Sequence, residues 1–368
     1  MTKTYYFIGI KGTGMGPLAQ ILHDQGNTVL GSDIDSYTYT QAPLEAAGIK
    51  ILPFSADNVD RYADAIFVRG NAFNDDHVEV QRALTLGVKM ISYPDAVQEQ
   101  IAQTTSIAVA GAHGKTSTTG LLAHVVKNIA PTSYLIGDGT GRGVPNSQFF
   151  VVEADEYRRH FKDYAPDYAI LTNIDFVHPD YYEDIDDVTR AFSDFANHVK
   201  KAIFAWGDDP HLRLLQPKAD VYYYGTNSEQ DDFVATNIRK STQGSHFDVV
   251  FKGQSLGEFS VPLFGQHSIL NALSVIAVAY MEKMDLSLIK SFLMTYQGVK
   301  RRFSEKQIAD ITVIDDYAHH PTEIDATLDA ARQKYPNKQI IAIFQPHTYS
   351  RVIAYKDEFA KSLEAADK

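Results

Sequence analysis

"SIAVAGAHGKTSTTG", residues 106–120, joins an apolar run to a glycine-bearing turn and then to a segment of helical periodicity. Residues 106–110 have the length and composition of a buried strand, and "TSTTGLLAHVVKNI" (116–129) has the spacing of an amphipathic helix. A strand that opens through Gly-Lys-Thr into a helix has the layout of a phosphate-binding loop. The full pattern wants a glycine five residues before Gly114, where Val109 stands, so the cradle is shortened. The physical requirements are still met. Gly111 and Gly114 give backbone freedom, Lys115 supplies a cation for the outer phosphates, and Thr116 supplies a hydroxyl for Mg²⁺.

Outward from this stretch the same texture recurs. Strand-like runs such as "TYYFIGI", "NTVLGSD", "DAIFVRG", "QFFVVEAD", "YAILTNID", "KAIFAWGDD", "ITVIDDYA" and "QIIAIFQP" alternate with helix-length segments. That pattern predicts an α/β fold with parallel sheets. Four strand–helix units fit residues 1–102, and a second domain spans 103–299. Within it, residues 219–264, from "DVYYYGTN" to "GEFSVPLFG", alternate apolar and polar positions as antiparallel strands do. "SILNALSVIAVAYMEKM" (268–284) is apolar on nearly every side and predicts a buried helix. A third region, 300–368, shows two parallel strands, each followed by a helix, which do not complete a doubly wound sheet. It is expected to be a domain cut short.

The 368 residues are too many for one core, and 44% hydrophobic with 22% charged residues describes a soluble globular chain. No apolar run approaches the roughly 20 residues of a membrane span. The N-terminus reads as a first strand, not as a cleavable leader. Without cysteine there is no disulfide framework and no thiolate metal site, and the cytoplasm is the expected compartment. A net charge of −12 argues against nucleic acid as a partner.

A second glycine loop, "GIKGTGMGP" (9–17), lies between the first strand and a helix. Gly9, Gly12, Gly14 and Gly16 let backbone approach a diphosphate, and Asp33 closes the next strand where an acid meets a ribose. Pro17 stands where the dinucleotide pattern has its third glycine. A nicotinamide oxidoreductase could be built on this loop, but it leaves Gly-Lys-Thr unexplained. Acids and a histidine at strand ends, Glu153, Asp155, Glu156, Asn173, Asp175 and His178, suit Mg²⁺ and a transferred phosphoryl group. "KRRF" (300–303) places three cations at a domain junction. "DDYAHHPTE" sets Asp315 and Asp316 at a strand end, with His319 and His320 before a helix that Pro321 starts. "QPHTYSR" repeats that layout with His347 and Arg351. Adjacent histidines could hold a metal, but no third ligand at metal spacing is evident. Binding of a carboxylate or phosphate suits them better.

In this order, GxHGKT, EADE, TNIDxxH, KRRF, DDYAHHPTE and PHTYSR make the chain resemble the Mur ligase family along its whole length. The resemblance implies a Rossmann-like UDP-sugar domain, a central P-loop ATPase domain and a C-terminal Rossmann-like domain that brings the amino acid. The implied activity is ATP-dependent ligation of L-alanine to the lactyl carboxylate of UDP-N-acetylmuramate through an acyl phosphate. Its implied small molecules are ATP, Mg²⁺, the UDP-sugar and L-alanine. Gly111, Ala112, His113, Gly114, Lys115, Thr116, Ser117, Asn271, Arg302 and Asp316 would bind ATP. Gly12, Thr13, Gly14, Met15 and Asp33 would bind the UDP-sugar. Thr116, Glu153 and His178 would hold Mg²⁺, and His319, His347 and Arg351 would orient the alanine. Lys115, Glu153, His178 and Arg302 are thereby the expected catalytic groups. One departure stands out: Ser268 follows His267 where the family usually has Asn, whereas Asn271 is kept. A sibling that attaches recycled murein tripeptide shares most motifs and is the nearest alternative. A non-catalytic nucleotide-sugar-binding protein is another, should the last domain be incomplete.

Overall fold

The computed structural model describes residues 2–368. The chain begins with β1 (Thr4–Ile8), α1 (Met15–Asp24), β2 (Thr28–Asp33), α2 (Gln41–Ala46), β3 (Lys50–Pro53) and α3 (Ala56–Arg61). It continues with β4 (Ile66–Arg69), α4 (Val78–Leu86), β5 (Met90–Ser92) and α5 (Tyr93–Ile101). The five strands form a parallel sheet in the order β3-β2-β1-β4-β5. The central β1 is covered on both faces, which is why Tyr5 to Ile8 are all apolar and buried. There are five strand–helix units here, not the expected four. The extra strand, "KILP", is short and only half-buried, so it carries no long apolar signal.

Next come β6 (Thr105–Ala110), α6 (Lys115–Ile129), β7 (Thr132–Ile136), β8 (Thr140–Arg142), β9 (Phe149–Glu153) and β10 (Tyr168–Leu171). Then follow α7 (Ile185–Ala196), β11 (Ala202–Trp206), β12 (Asp220–Gly225), β13 (Phe233–Ser241), β14 (Gly244–Phe251) and β15 (Gln254–Val261). The remainder is α8 (Gln266–Met281), α9 (Leu286–Met294), β16 (Ser304–Ile308), β17 (Ile311–Asp315), α10 (Pro321–Lys334), α11 (Tyr349–Ala354) and α12 (Lys356–Leu363).

Two compact units result. The first holds Met1–Ile107, Ala130–Glu153 and Asp163–Pro166; the second holds Ala108–Ile129, Ala154–Lys162 and Asp167–Lys368. In the first, β7 pairs β9 in parallel and β8 antiparallel. In the second, the strands run β15-β14-β13-β12-β11-β10, and the end of β6 lies beside β10, with Thr172 N–H donating to Ala110 O at 3.0 Å. The antiparallel expectation for 219–264 holds for β13, β14 and β15 but fails for "DVYYYGTN": β12 pairs in parallel with both β11 and β13. Helix α8 is buried from Ser268 along most of its length, as its composition requires.

The last region corrects two expectations. β17 does not start a parallel sheet; it forms an antiparallel hairpin with β16, whose polar sequence "SEKQI" gave no strand signal. "QIIAIFQP" is not a strand: residues 339–346 make no ladder, and Ile343 is 95% exposed. Pro321 does open α10. Among the described residues no helix is long and apolar enough to cross a membrane.

Candidate functional site

The path of the short loop is set at its two glycines. Gly111 has φ +152°, and a Cβ there would lie 1.8 Å from Thr172 Oγ1; Gly114 has φ +82°. The loop is pinned to the end of β10. His113 N–H donates to Asn173 Oδ1 at 2.9 Å, and His113 O accepts from Thr172 Oγ1 at 2.6 Å and Asn173 Nδ2 at 3.0 Å. These bonds set the entry to α6, whose first turn faces the loop and whose helix dipole favours an anion.

Lys115 is the first residue of α6. Its Nζ donates to Gly111 O at 2.5 Å and pairs with Glu156 Oε2 at 2.7 Å. Glu156 is 1% exposed and also meets His178 Nε2 at 3.2 Å. Ligand atoms of Asp155, Glu156 and His178 lie within 4.8 Å of one another. His178 itself has φ +57°, a strained conformation for a residue with a side chain, held by Tyr181 and Tyr182 N–H groups on its carbonyl. Of the expected Mg²⁺ ligands Thr116, Glu153 and His178, this set contains His178, joined by Asp155 and Glu156. Glu153 ends β9 in the first unit, where its Oε2 accepts Gly137 N–H at 2.8 Å. Thr116 is nearly buried.

A cavity of about 550 Å³ opens beside the loop. Its wall includes His113, Gly114, Ser117, Asn271, Arg302 and Asp316, six of the residues expected to bind ATP. The size falls in the range of small-molecule and cofactor pockets. Ser268 is in the same wall, and its hydroxyl turns back to Phe264 O at 2.5 Å, so this side chain ties the first turn of α8 to the segment before it. Asp316 holds two backbone turns, accepting Phe303 N–H and Ala318 N–H, each at 2.8 Å. Burial pushes its carboxyl pKa up, against the pull of those donors and of Arg302.

Glu323, on α10, is the residue that sequence reasoning missed. Its carboxylate lies 3.5 Å from His113 Nδ1 and 3.4 Å from Arg302 Nη1, and accepts His319 N–H at 2.9 Å. Burial pulls the His113 pKa down, but the carboxylates of Asp175 and Glu323 outweigh it and hold the imidazole above its ordinary value. Burial lowers that of His319. Arg351 is buried on α11, and its charge is felt at both His319 and His320; His347 is exposed.

In the first unit the glycine loop joins β1 to α1. Gly9, at φ +82°, leaves no room for a Cβ, which would lie 2.1 Å from Phe73. Gly12 and Thr13 are exposed, while Met15 is buried and offers only backbone to a ligand. Asp33 accepts Lys11 N–H at 2.7 Å and Ile34 N–H at 2.8 Å, so its carboxylate shapes the loop directly. Lys11 was also missed. It is 5% exposed, with Nζ donating to Ile34 O at 2.6 Å and Ser36 O at 2.7 Å. Pro17 falls in the first turn of α1, where a missing N–H costs nothing.

Three family models match in chain order: "Mur ligase family, catalytic domain" at residues 4–105, "Mur ligase middle domain" at 109–279, and "Mur ligase, glutamate ligase domain" at 301–368. The chain is 99% identical over 368 residues to a UDP-N-acetylmuramate–L-alanine ligase of Leuconostoc citreum, covering 100% of this chain and 83% of that one. Among solved structures, the UDP-N-acetylmuramate-alanine ligase of Thermotoga maritima matches at 29% identity and a TM-score of 0.83, over 99% of this chain and 84% of that one. A murein peptide ligase from Psychrobacter arcticus matches at 28% identity and a TM-score of 0.77, over 99% and 83%. The C-terminal model covers the region expected to be the third domain, residues 301–368.

Proposed function

The chain belongs to the Mur ligase family, and from that premise we propose that it joins L-alanine to the lactyl carboxylate of UDP-N-acetylmuramate, converting ATP to ADP and phosphate in peptidoglycan precursor synthesis. The 99% identity to the Leuconostoc citreum L-alanine ligase far exceeds the 28% to the murein peptide ligase, so alanine is taken as the acceptor in place of a tripeptide. Nucleotides and nucleotide sugars as substrates suit a cytoplasmic enzyme.

The observation that carries the chemical reading is Lys115, held between Gly111 O and Glu156 at the start of α6. The carboxylate of the sugar attacks the γ-phosphate of ATP, giving an acyl phosphate and ADP. The alanine amine then attacks the acyl carbon and phosphate leaves. Both reactants of the first step are anions, so fixed positive charge must offset their repulsion and the charge that develops between them. Lys115 supplies it where the outer phosphates lie against the loop N–H groups. Its ion pair with Glu156 keeps the ammonium in place before nucleotide arrives.

Asn271 and Ser117 line the nucleotide cavity, and Arg302 is positioned there by Glu323. His319 and Arg351, with His347, serve the alanine, whose carboxylate fits a guanidinium fork. Gly12, Thr13, Gly14 and Met15 present the start of α1 to the UDP diphosphate, on a loop braced by Asp33. The oxygen-rich set of Asp155, Glu156 and His178 has the donor chemistry of a Mg²⁺ site. Asp155, Glu156 and His178 would hold the ion, which when bound neutralises charge on the phosphate oxygens.

The test is ADP release with UDP-N-acetylmuramate and alanine, glycine, serine or tripeptide as acceptor. Wild type is expected to respond chiefly to alanine. Lys115→Ala is expected to abolish the alanine-dependent signal while UDP-sugar binding persists. Near-normal turnover in that variant would refute the assignment.

A further inference from the structure

We propose that His113, Asp175 and His320 form a site for one divalent transition-metal ion of the Zn²⁺ class, linking the phosphate loop to the start of α10. The three residues come from separate segments: the loop after β6, the turn after β10, and the residue preceding α10. Their ligand atoms lie within 4.8 Å of one another. Asp175 Oδ2 is 3.1 Å from His113 Nε2 and 3.8 Å from His320 Nδ1. In a tetrahedral zinc centre with bonds of about 2.0–2.1 Å, neighbouring ligand atoms stand about 3.3 Å apart. The preformed spacing brackets that value.

Each ligand is set up for the role. His320 is 4% exposed, and neither of its ring nitrogens has a hydrogen-bond partner among the described residues. A buried imidazole left in that condition is costly unless something binds it. Asp175 uses its other oxygen, Oδ1, to accept Phe176 N–H at 2.8 Å, which aims Oδ2 at the two rings. His113 Nδ1 faces the Glu323 carboxylate at 3.5 Å, and an ion bound at Nε2 would displace the proton that this nitrogen now shares with Asp175 Oδ2. The Asp175 side chain is 37% exposed, so an ion has a way in and a water can complete the shell.

Two imidazoles and one carboxylate select a borderline ion such as Zn²⁺ over Mg²⁺, which prefers oxygen. The site is therefore chemically distinct from the Asp155, Glu156 and His178 set. It does not depend on the ligase reading, because metal binding is measured without nucleotide, sugar or amino acid.

The experiment is equilibrium dialysis of the purified full chain against Zn²⁺ alone, with Co²⁺ as the spectroscopic probe. One Zn²⁺ per chain is expected, with a raised melting temperature and tetrahedral Co²⁺ absorption bands. His320→Gln and Asp175→Asn are each expected to weaken binding at least about 100-fold, the upper end of what an outer-shell loss costs. His178→Ala is expected to leave it unchanged. Absence of stoichiometric Zn²⁺ in wild type, retention in Asp175→Asn, or loss in His178→Ala would each overturn the proposal. Should His320→Gln fail to fold, the partly exposed Asp175→Asn decides alone.

Discussion

Glu323 sits where three side chains of the candidate site meet: His113 from the glycine loop, Arg302, and His319. It stands in the quoted motif "DDYAHHPTE", yet nothing in that string marks it as a hub, because its importance lies in neighbours distant in sequence. Burial alone would raise its pKa, but His113, His319 and Arg302 outweigh burial and hold it well below 4.5. A carboxyl depressed in the folded state adds stability that is complete above its unfolded pKa and lost as pH falls through the folded one. Glu323→Gln is therefore expected to cost about 3 kcal/mol near neutrality, the low end for breaking a buried pair. Below the unfolded pKa, about 4.3, that difference from wild type should shrink. Urea unfolding at a series of pH values checks this; a gap that stays constant into acid would rule out the ionised pair. Lys11 escaped the sequence reading for the same reason, since a buried lysine is recognisable only by the carbonyls around it.

At the level of elements, the segment 339–346 shows what hydropathy reads well and what it does not. "QIIAIF" has the composition of a strand, but a strand exists only where a neighbour completes its ladder. Here Ile341 is 60% and Ile343 95% exposed, and Ala342 N–H donates to Lys368 O at 2.9 Å in place of a ladder partner. Such a stretch invites edge-to-edge association. Ile343→Lys is expected to change stability by no more than about 0.5 kcal/mol, the range for surface substitutions. It should also reduce aggregation, as read by light scattering on heating. Amides of 341–347, apart from Ala342, should exchange faster than those of β17; protection equal to β17 would mean the segment is paired in solution. By contrast β1, β6, β9, β10 and β11 were legible, because each is covered on both faces and so reads as an unbroken apolar run. β12 was legible as a strand but not in direction, since alternation reports a half-covered face and not the sense of a neighbour.

For the molecule as a whole, ligand binding and stability are one linked quantity. A ligand that binds only the folded chain adds about 2.7 kcal/mol at a hundred times its dissociation constant. The UDP-sugar and a non-hydrolysable ATP analogue should each therefore raise the unfolding free energy of wild type. Lys115→Ala complicates this, because it leaves Glu156, 1% exposed, without the ammonium 2.7 Å away. Removing one partner of a buried pair costs about 3–5 kcal/mol, or forces the carboxyl to protonate. Its baseline stability should therefore fall before any ligand is added, and Lys115→Arg, which keeps the charge, should fall less. Shifts from each variant's own baseline separate fold from function. In Lys115→Ala the UDP-sugar shift should match wild type, while the ATP-analogue shift disappears. If both vanish, the variant has lost its fold and says nothing of the phosphate loop, and Lys115→Arg takes its place. If the analogue still stabilises Lys115→Ala as it does wild type, the terminal phosphates do not meet this lysine, and the charge that drives carboxylate activation must be sought elsewhere.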